Sequence, residues 1–444
     1  MDKRKLLLVE LNEINFDVVQ RYLETDASRF PSLSRLMRLH SIRTEGEAVY
    51  EQLEPWIQWP SVHTGLAYDE HRIFRLGDVV NSSAPQFFEQ LEELGWRVGA
   101  ICPMNVENRL RSPAYFLPDP WTNTPSDGSW WSNALAGAVS QSVNDNAESK
   151  ISLRSMVVLL LGLLRFSRPK HWPLYFRLAL RARRAPWCKA LFLDLFLHDL
   201  HMRRFADKKP DFSAIFLNAG AHIQHHYFFN SVPLRAGLQM ANPEWYVSSE
   251  ADPIGEMLEF YDRLIADYLA IEGVELLVAT GLSQRPYEGV KFYYRLRDHA
   301  AFLRQLDIEF EGVFPRMTRD FLVDFRDAET ARAAEVKLRS VVVDDGAPLF
   351  GEISNRGASL FVTLTYPREI VDDTVFRFSG KPVRLAGQVV FVAVKNGMHQ
   401  STGYAFFSRG LQGHAPPDGK HVKELRQTIM GFFAGMRVAS RTSR

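Results

Sequence analysis

Residues 5–11, KLLLVEL, form a nearly unbroken apolar run that gives way to amide and acidic side chains at Asn12 and Glu13. This is the pattern of a strand buried on both faces. A helix follows from about Phe16 to Glu24, and FPSLSRLMRL (30–39) starts another, with Pro31 early, where a missing N–H is harmless. PQFFEQLEELG and then WRVGAICPMN read as helix, glycine stop and strand. Further along, DFSAIFLN and VELLVATG (274–281) are buried-strand runs, separated by the amphipathic helix DPIGEMLEFYDRLIADYLA. The alternation predicts an α/β fold with a mostly parallel central sheet flanked by helices. Ligands collect at the carboxyl ends of such strands, which singles out Asn12, the residues after Cys102, and the stretch AHIQHHYFF (221–229).

Two segments break the pattern. Residues 123–146 are polar and rich in Ser, Asn and Trp, as in a long loop, and 151–206 are helical in pattern and basic. Residues 316–366 carry strand, helix and strand signals of a small α+β insertion, with a helical insert as the other departure from the core. The organisation expected is therefore core at 1–124, loop and basic helical insert at 125–206, core at 207–314, α+β insertion at 315–375, and core with a closing helix at 376–444. In the last part, QVVFVAVKNGMHQSTGYAFFSRG reads as two strands around His399.

Composition narrows the function. A net charge of +1 supplies no global field, so no nucleic-acid partner is expected. Cys102 and Cys188 build no disulfide framework and no metal-ligand spacing, which suits a reducing, cytoplasmic setting. The longest apolar run, MVVLLLGLLRF (156–166), falls short of the roughly 18 residues a membrane span needs. The basic helices at 165–189 keep peripheral membrane contact open, or a surface for another anionic partner.

The residues that carry chemistry cluster in three places. His222, His225 and His226 follow a strand, with imidazoles at metal-ligand density. EPWIQWPSVHTG (54–65) offers Glu54 and Gln58 as polar ligands to a substrate, Trp56 and Trp59 as stacking surfaces, and Ser61 with His63 as a nucleophile and base if their side chains meet. ELNEIN (10–15) places Asn12 and Glu13 at a strand end, where a carboxylate can serve as metal ligand or base. Each has a plainer rival: a hydrogen-bonded loop, a packed helix start, and a helix cap.

Several stretches, taken in order, resemble the alkaline-phosphatase superfamily, in particular its type I phosphodiesterase and nucleotide pyrophosphatase branch. LLLVELNEINFDVV…FPSLSRLM is similar to the opening strand, metal-binding turn and helix. PWIQWPSVHTGLAYDEHRIFRLGD looks like the nucleophile segment, and NAGAHIQHHYFF resembles the Asp-and-His metal segment. ELLVATGLSQ stands where a strand ends in Asp-His-Gly, and GMHQSTGYAFFSRG resembles a late His-x-x-x-Gly segment. The match covers most of the chain outside 125–205 and 315–375. It implies a phosphodiesterase- or phosphatase-like hydrolase with two metal ions and a Thr or Ser nucleophile.

The chain departs from that pattern at definite positions. The opening Asp is matched by Asn12, the nucleophile position by Pro55, and Asp-His-Gly by Gly281-Leu282-Ser283. A second metal held as in the family is therefore not expected. The other site keeps imidazoles: His225 matches the ligand histidine with Ala221 at the aspartate, or Asn218 and His222 match them in a shifted alignment, and His399 matches the third ligand. One divalent ion, zinc or manganese, bound by His222, His225 and His399 is expected. Asn12 and Asn218 would face a small anionic or sugar-phosphate substrate, and a water would attack the phosphoester. The alternative is an inactive relative that binds a sugar, a nucleotide or a protein.

Overall fold

Strand β1 (Lys5–Leu11) is buried along almost its whole length, and the elements around it define the fold. A computed structural model describes residues 5–144, 152–316, 319–378 and 380–442. The chain divides into two compact units, one of Met1–Leu238, Glu250–Pro286 and Gly397–Arg444, the other of Gln239–Ser249 and Tyr287–Asn396.

In the first unit, β1 leads to α1 (Phe16–Asp26), α2 (Pro31–Met37), β2 (His40–Glu45), α3 (Pro55–Thr64), α4 (Tyr68–His71), α5 (Phe87–Glu93), β3 (Val98–Ile101) and β4 (Tyr115–Leu117). Four helices follow, α6 (Trp130–Asn144), α7 (Leu153–Phe166), α8 (Trp172–Arg181) and α9 (Cys188–Lys208). The pattern then resumes with β5 (Phe212–Leu217), α10 (Ala219–Tyr227), α11 (Val232–Arg235), α12 (Pro253–Leu269) and β6 (Val274–Ala279), after which β7 (Ser283–Leu296) begins in the first unit and ends in the second.

The second unit adds α13 (His299–Gln305), β8 (Gly312–Pro315), β9 (Asp320–Asp324), α14 (Ala328–Arg339), β10 (Val342–Val343), β11 (Glu352–Asn355), β12 (Ser359–Thr363), β13 (Val375–Phe378) and β14 (Lys381–Arg384). Strand β15 (Val389–Gln400) returns the chain to the first unit, which ends in β16 (Thr402–Phe407), β17 (Lys420–His421) and α15 (Leu425–Thr442).

The main sheet has eight strands in the order β17-β2-β16-β6-β1-β5-β3-β4. The block β6-β1-β5-β3-β4 is parallel throughout, and β16 runs antiparallel to β6 and β2. This is the expected α/β architecture, a mostly parallel sheet flanked by helices. Leu11 is level with Leu217, and Glu10 with Ala279, so the carboxyl ends of β1, β5 and β6 finish together. The side chains of Phe87, Phe88, Phe116, Phe212 and Trp59 fill the core beside these strands.

The second unit is antiparallel, with sheets β11-β12-β9-β8 and β10-β13-β14 around a core of Phe302, Phe321, Phe350 and Phe376. The α+β signals at 315–375 lie inside this larger unit.

Two local expectations change. The polar stretch after Asn123 contains the helix α6, not a continuous loop. Its buried Leu135, Ala138 and Val139 recur at helical spacing, a short signal masked by the Ser and Asn around it. The histidines lie on the helix α10 that starts directly after β5. Among the described residues, no helix is long and apolar enough to cross a membrane.

Candidate functional site

The turn after β1 is fixed from three sides. The Asn12 N–H donates to the Leu217 carbonyl at 3.1 Å, and the Glu13 N–H to the Thr280 carbonyl at 3.1 Å. Asn15 caps α1 by accepting from the N–H groups of Asp17 and Val18, and its own amide donates to the Gln284 carbonyl at 2.8 Å. Between these anchors Glu13 has φ 61°, a left-handed backbone that costs a residue with a Cβ about 1–2 kcal/mol. Such strain is held where the surroundings over-determine it, and it aims the Glu13 carboxylate across the strand ends.

Helix α10 supplies the second group. Its first N–H groups are taken by buried partners: Asp194 accepts from Ala219 at 2.9 Å, and the Tyr261 hydroxyl from Gly220 at 2.8 Å. Burial pushes the Asp194 carboxyl up to about 6, against the hydrogen bonds it receives. One turn further on, His225 turns toward β1 while His222 and His226, four residues apart, share another face. His399, near the end of β15, is the third group.

These three meet. Glu13 Oε2 lies 3.1 Å from His225 Nε2 and 3.1 Å from His399 Nε2, and the two imidazole nitrogens are 3.2 Å apart. Ligand atoms about 2.0–2.1 Å from a tetrahedral zinc stand about 3.3 Å from one another, so this near-equilateral triangle fits one divalent ion. The donor set, two imidazoles and a carboxylate, suits zinc or manganese. Exposure decides where a further ligand could enter: the His225 side chain is 33% exposed, against 11% for His399 and 3% for Glu13.

The surrounding shell holds the triangle in place. Asn12 Nδ2 donates to Glu13 Oε1 at 2.9 Å and to Asn218 Oδ1 at 2.8 Å. Gln284 Nε2 donates to Glu13 Oε2 at 2.5 Å and to the Ala221 carbonyl at 3.0 Å. Gln224 Nε2 donates to the Glu13 carbonyl at 2.8 Å. Glu54 Oε2 lies 3.5 Å from His399 Nδ1, behind the ring. Burial opposes charge on Glu13, but His399 and His225 outweigh it and hold the carboxyl well below its ordinary range. Burial likewise opposes charge on His399, but Glu13, with Glu54 behind, lifts it above the ordinary value.

The remaining sequence candidates fall elsewhere, each for a physical reason. His222 is exposed and packs against His226 with ring centroids 4.5 Å apart, away from the triangle, so Glu13 takes the place expected for it. Asn12 does not present a free donor to substrate, because both amide hydrogens are committed and its Oδ1 accepts from Trp59 Nε1 at 2.8 Å. Trp59 is fully buried and offers no stacking surface. Its indole lies over Gly281, where a Cβ would meet it at 3.0 Å, and so fills the ground between Asn12 and the Gly281-Leu282-Ser283 turn.

Ser61 and His63 do not meet, since residues two apart on a helix face different ways. Ser61 is buried against the Ile57 carbonyl and His71 Nε2, while His63 forms a buried pair with Glu10 at 2.9 Å. Gln58 is buried and donates to the Gln52 carbonyl, and Trp56 donates to the Phe74 carbonyl. Helix α3 carries Pro60 inside it, and the Trp56 carbonyl left without a helical N–H accepts instead from Asn105 Nδ2 at 2.8 Å. Of the segment 54–64, Glu54 reaches the triangle.

Gln284 and Gln224 were not among the sequence candidates. Both stand inside stretches that drew attention for other reasons, GLSQ and AHIQHH, and an amide among stronger ligands carries no signal of its own. A second group of metal-capable side chains, His171, His198 and Asp267, has its carboxylate engaged by Arg168 and Lys170. A surface concavity lined by Phe16, Asp17, Arg43, Tyr404 and Asp418 shares no residue with the triangle, and its Arg43 pairs with Asp17.

No protein-family model and no curated protein matches the chain. Solved structures similar to it at low identity include these three. One is phosphonoacetate hydrolase from Sinorhizobium meliloti 1021 in complex with phosphonoformate, at 11% identity and a TM-score of 0.43, covering 97% of this chain and 96% of that one. Another is murine ectonucleotide pyrophosphatase/phosphodiesterase 5, an inactive variant in complex with AMP, at 10% identity and a TM-score of 0.39, covering 97% and 94%. A third is alkaline phosphatase from the Antarctic bacterium TAB5, at 8% identity and a TM-score of 0.42, covering 97% and 98%.

Proposed function

We propose that this chain is a metal-dependent hydrolase of a small phosphoester or similar phosphorus-containing anion, with one divalent ion held by Glu13, His225 and His399. The observation that carries the reading is the triangle of Oε2 and two Nε2 atoms at 3.1–3.2 Å, set at the carboxyl ends of parallel strands. A single carboxylate against a divalent ion leaves a net positive site, which attracts an anionic substrate. When bound, the ion supplies Lewis acidity toward a phosphoryl oxygen and toward the attacking water.

The chain's own residues then have distinct tasks. Asn12 and Gln284 hold the two carboxylate oxygens of Glu13 in one orientation. Glu54 stands behind His399 and fixes the ring so that Nε2 faces inward. His225 lines the open side, where substrate enters. Pro55 stands where the family has its nucleophile, so water is the attacking group. Trp59 fills the ground between Asn12 and Gly281, which supports a one-ion reading.

Elemental analysis of the purified chain, with a panel of phosphomonoester, phosphodiester and phosphonate substrates, tests the reading. One equivalent of zinc or manganese and hydrolysis lost in Glu13→Gln and His399→Ala is the expected result. No metal above background, with both variants unchanged, overturns it. Trp59 and Pro55 favour a second reading, a non-catalytic protein that keeps the ion to bind an anionic ligand. Metal at full stoichiometry with ligand-induced stabilisation and no turnover of any substrate would select it.

A further inference from the structure

We propose that helices α7 and α8 form a docking surface for an anionic lipid membrane. Among the described residues, nine of the twenty exposed large hydrophobic side chains lie between 153 and 180. On α7 they are Leu153, Met156, Val157, Leu160, Leu161 and Leu164, one stripe at helical spacing, with Leu153 at 73% and Leu164 at 59% exposure. The opposite side of α7, Val158, Gly162 and Phe166, is buried in the protein. On α8 the exposed set is Trp172, Phe176 and Leu180, one per turn, while Leu174, Tyr175 and Leu178 face inward. A contiguous outward stripe of this kind marks an interaction surface rather than scattered surface leucines.

Charge identifies the partner. The whole chain is balanced, with 53 basic and 52 acidic residues, yet residues 152–193 contain nine Lys and Arg and no Asp or Glu. Arg168 and Lys170 are engaged by Asp267, and Arg181 by Glu256. Arg154, Arg165, Arg177, Arg183, Arg184 and Lys189 are exposed and have no carboxylate partner among the described residues. A second copy of the chain would set this basic surface against an identical one, which like-charge repulsion opposes. Leucines along one face of α7, and Trp and Phe along one face of α8, with Arg and Lys beside them, match the acyl and headgroup layers of a bilayer carrying negative lipids.

The test is co-sedimentation of the full chain with vesicles of phosphatidylcholine alone and of phosphatidylcholine with phosphatidylserine. Binding to the anionic vesicles, weakened by salt, is expected. Leu160→Gln with Leu164→Gln should reduce it more than tenfold, and so should Arg177→Glu, Arg183→Glu and Arg184→Glu together, since each basic residue near the surface is worth about a fivefold change in partition. All positions are exposed, and unchanged thermal melting of the variants confirms that the fold is retained. Absence of binding to anionic vesicles at low salt overturns the proposal. So does binding indifferent to the leucine substitutions, or a self-association removed by those substitutions without vesicle binding.

Discussion

At the scale of single residues, Asn12 illustrates how a site can be misread and still be important. An amide looks like a weakened ligand, yet its two hydrogens bridge Glu13 and Asn218 and its oxygen is tied to Trp59. It acts by holding Glu13 Oε1, and such outer partners typically contribute 10–100-fold to metal affinity. Asn12→Ala should therefore weaken zinc binding by that factor in competition titrations, without altering the stoichiometry. His71 gives a pH prediction away from the triangle. Its Nδ1 accepts from the Ile73 N–H at 3.0 Å, so the ring proton sits on Nε2, facing Ser61. Burial pushes its pKa down to about 4 from 6.5. The unfolded chain then binds the proton first as pH falls. Stability is full above about 6.5 and declines toward 4, by up to roughly 3 kcal/mol for this residue. Melting temperature against pH should show that decline, and His71→Gln should flatten it.

At the scale of elements, the site depends on close approach between β15 and α10. A Cβ on Gly397 would stand 2.0 Å from Gln284 Oε1 and 2.8 Å from the Gln224 carbonyl. The glycine, two residues before His399, lets β15 pass against the backbone of α10 and the amide that holds Glu13. Gly397→Ala should destabilise the chain by about 1–3 kcal/mol, as overpacking does. It should also weaken metal binding, because the Gln284 amide must move. Chemical denaturation and metal titration of the same variant separate the two effects.

At the scale of the whole molecule, an ion in the proposed site would join the turn after β1, α10 and β15, segments more than 150 residues apart in sequence. Anything that binds the folded chain and not the unfolded one stabilises it by mass action. Zinc at a hundredfold excess over its dissociation constant should add about 2.7 kcal/mol. A chelator should remove that gain, and Glu13→Gln should abolish most of it. Thermal melts with and without zinc measure all three.

The apolar runs and their alternation with amphipathic helices were enough to determine the parallel sheet, because burial on both faces demands continuous hydrophobic strands whatever the rest of the fold does. Periodicity alone did not point to His225 and His399; the resemblance of the motifs did. It took His222 as the third group, whereas Glu13 is the side chain that meets the other two. That choice rests on the direction in which α10 turns its faces and on the left-handed backbone at Glu13, held by a hydrogen bond to the Thr280 carbonyl and one from the Gln224 amide. Local reading took Trp59 for a wall of the site, whereas packing carries it into the core and against Asn12. Sequence periodicity records which side chains must leave water. Which of them then meet is decided by strand register and helix rotation, and these are set by contacts between segments far apart in the chain.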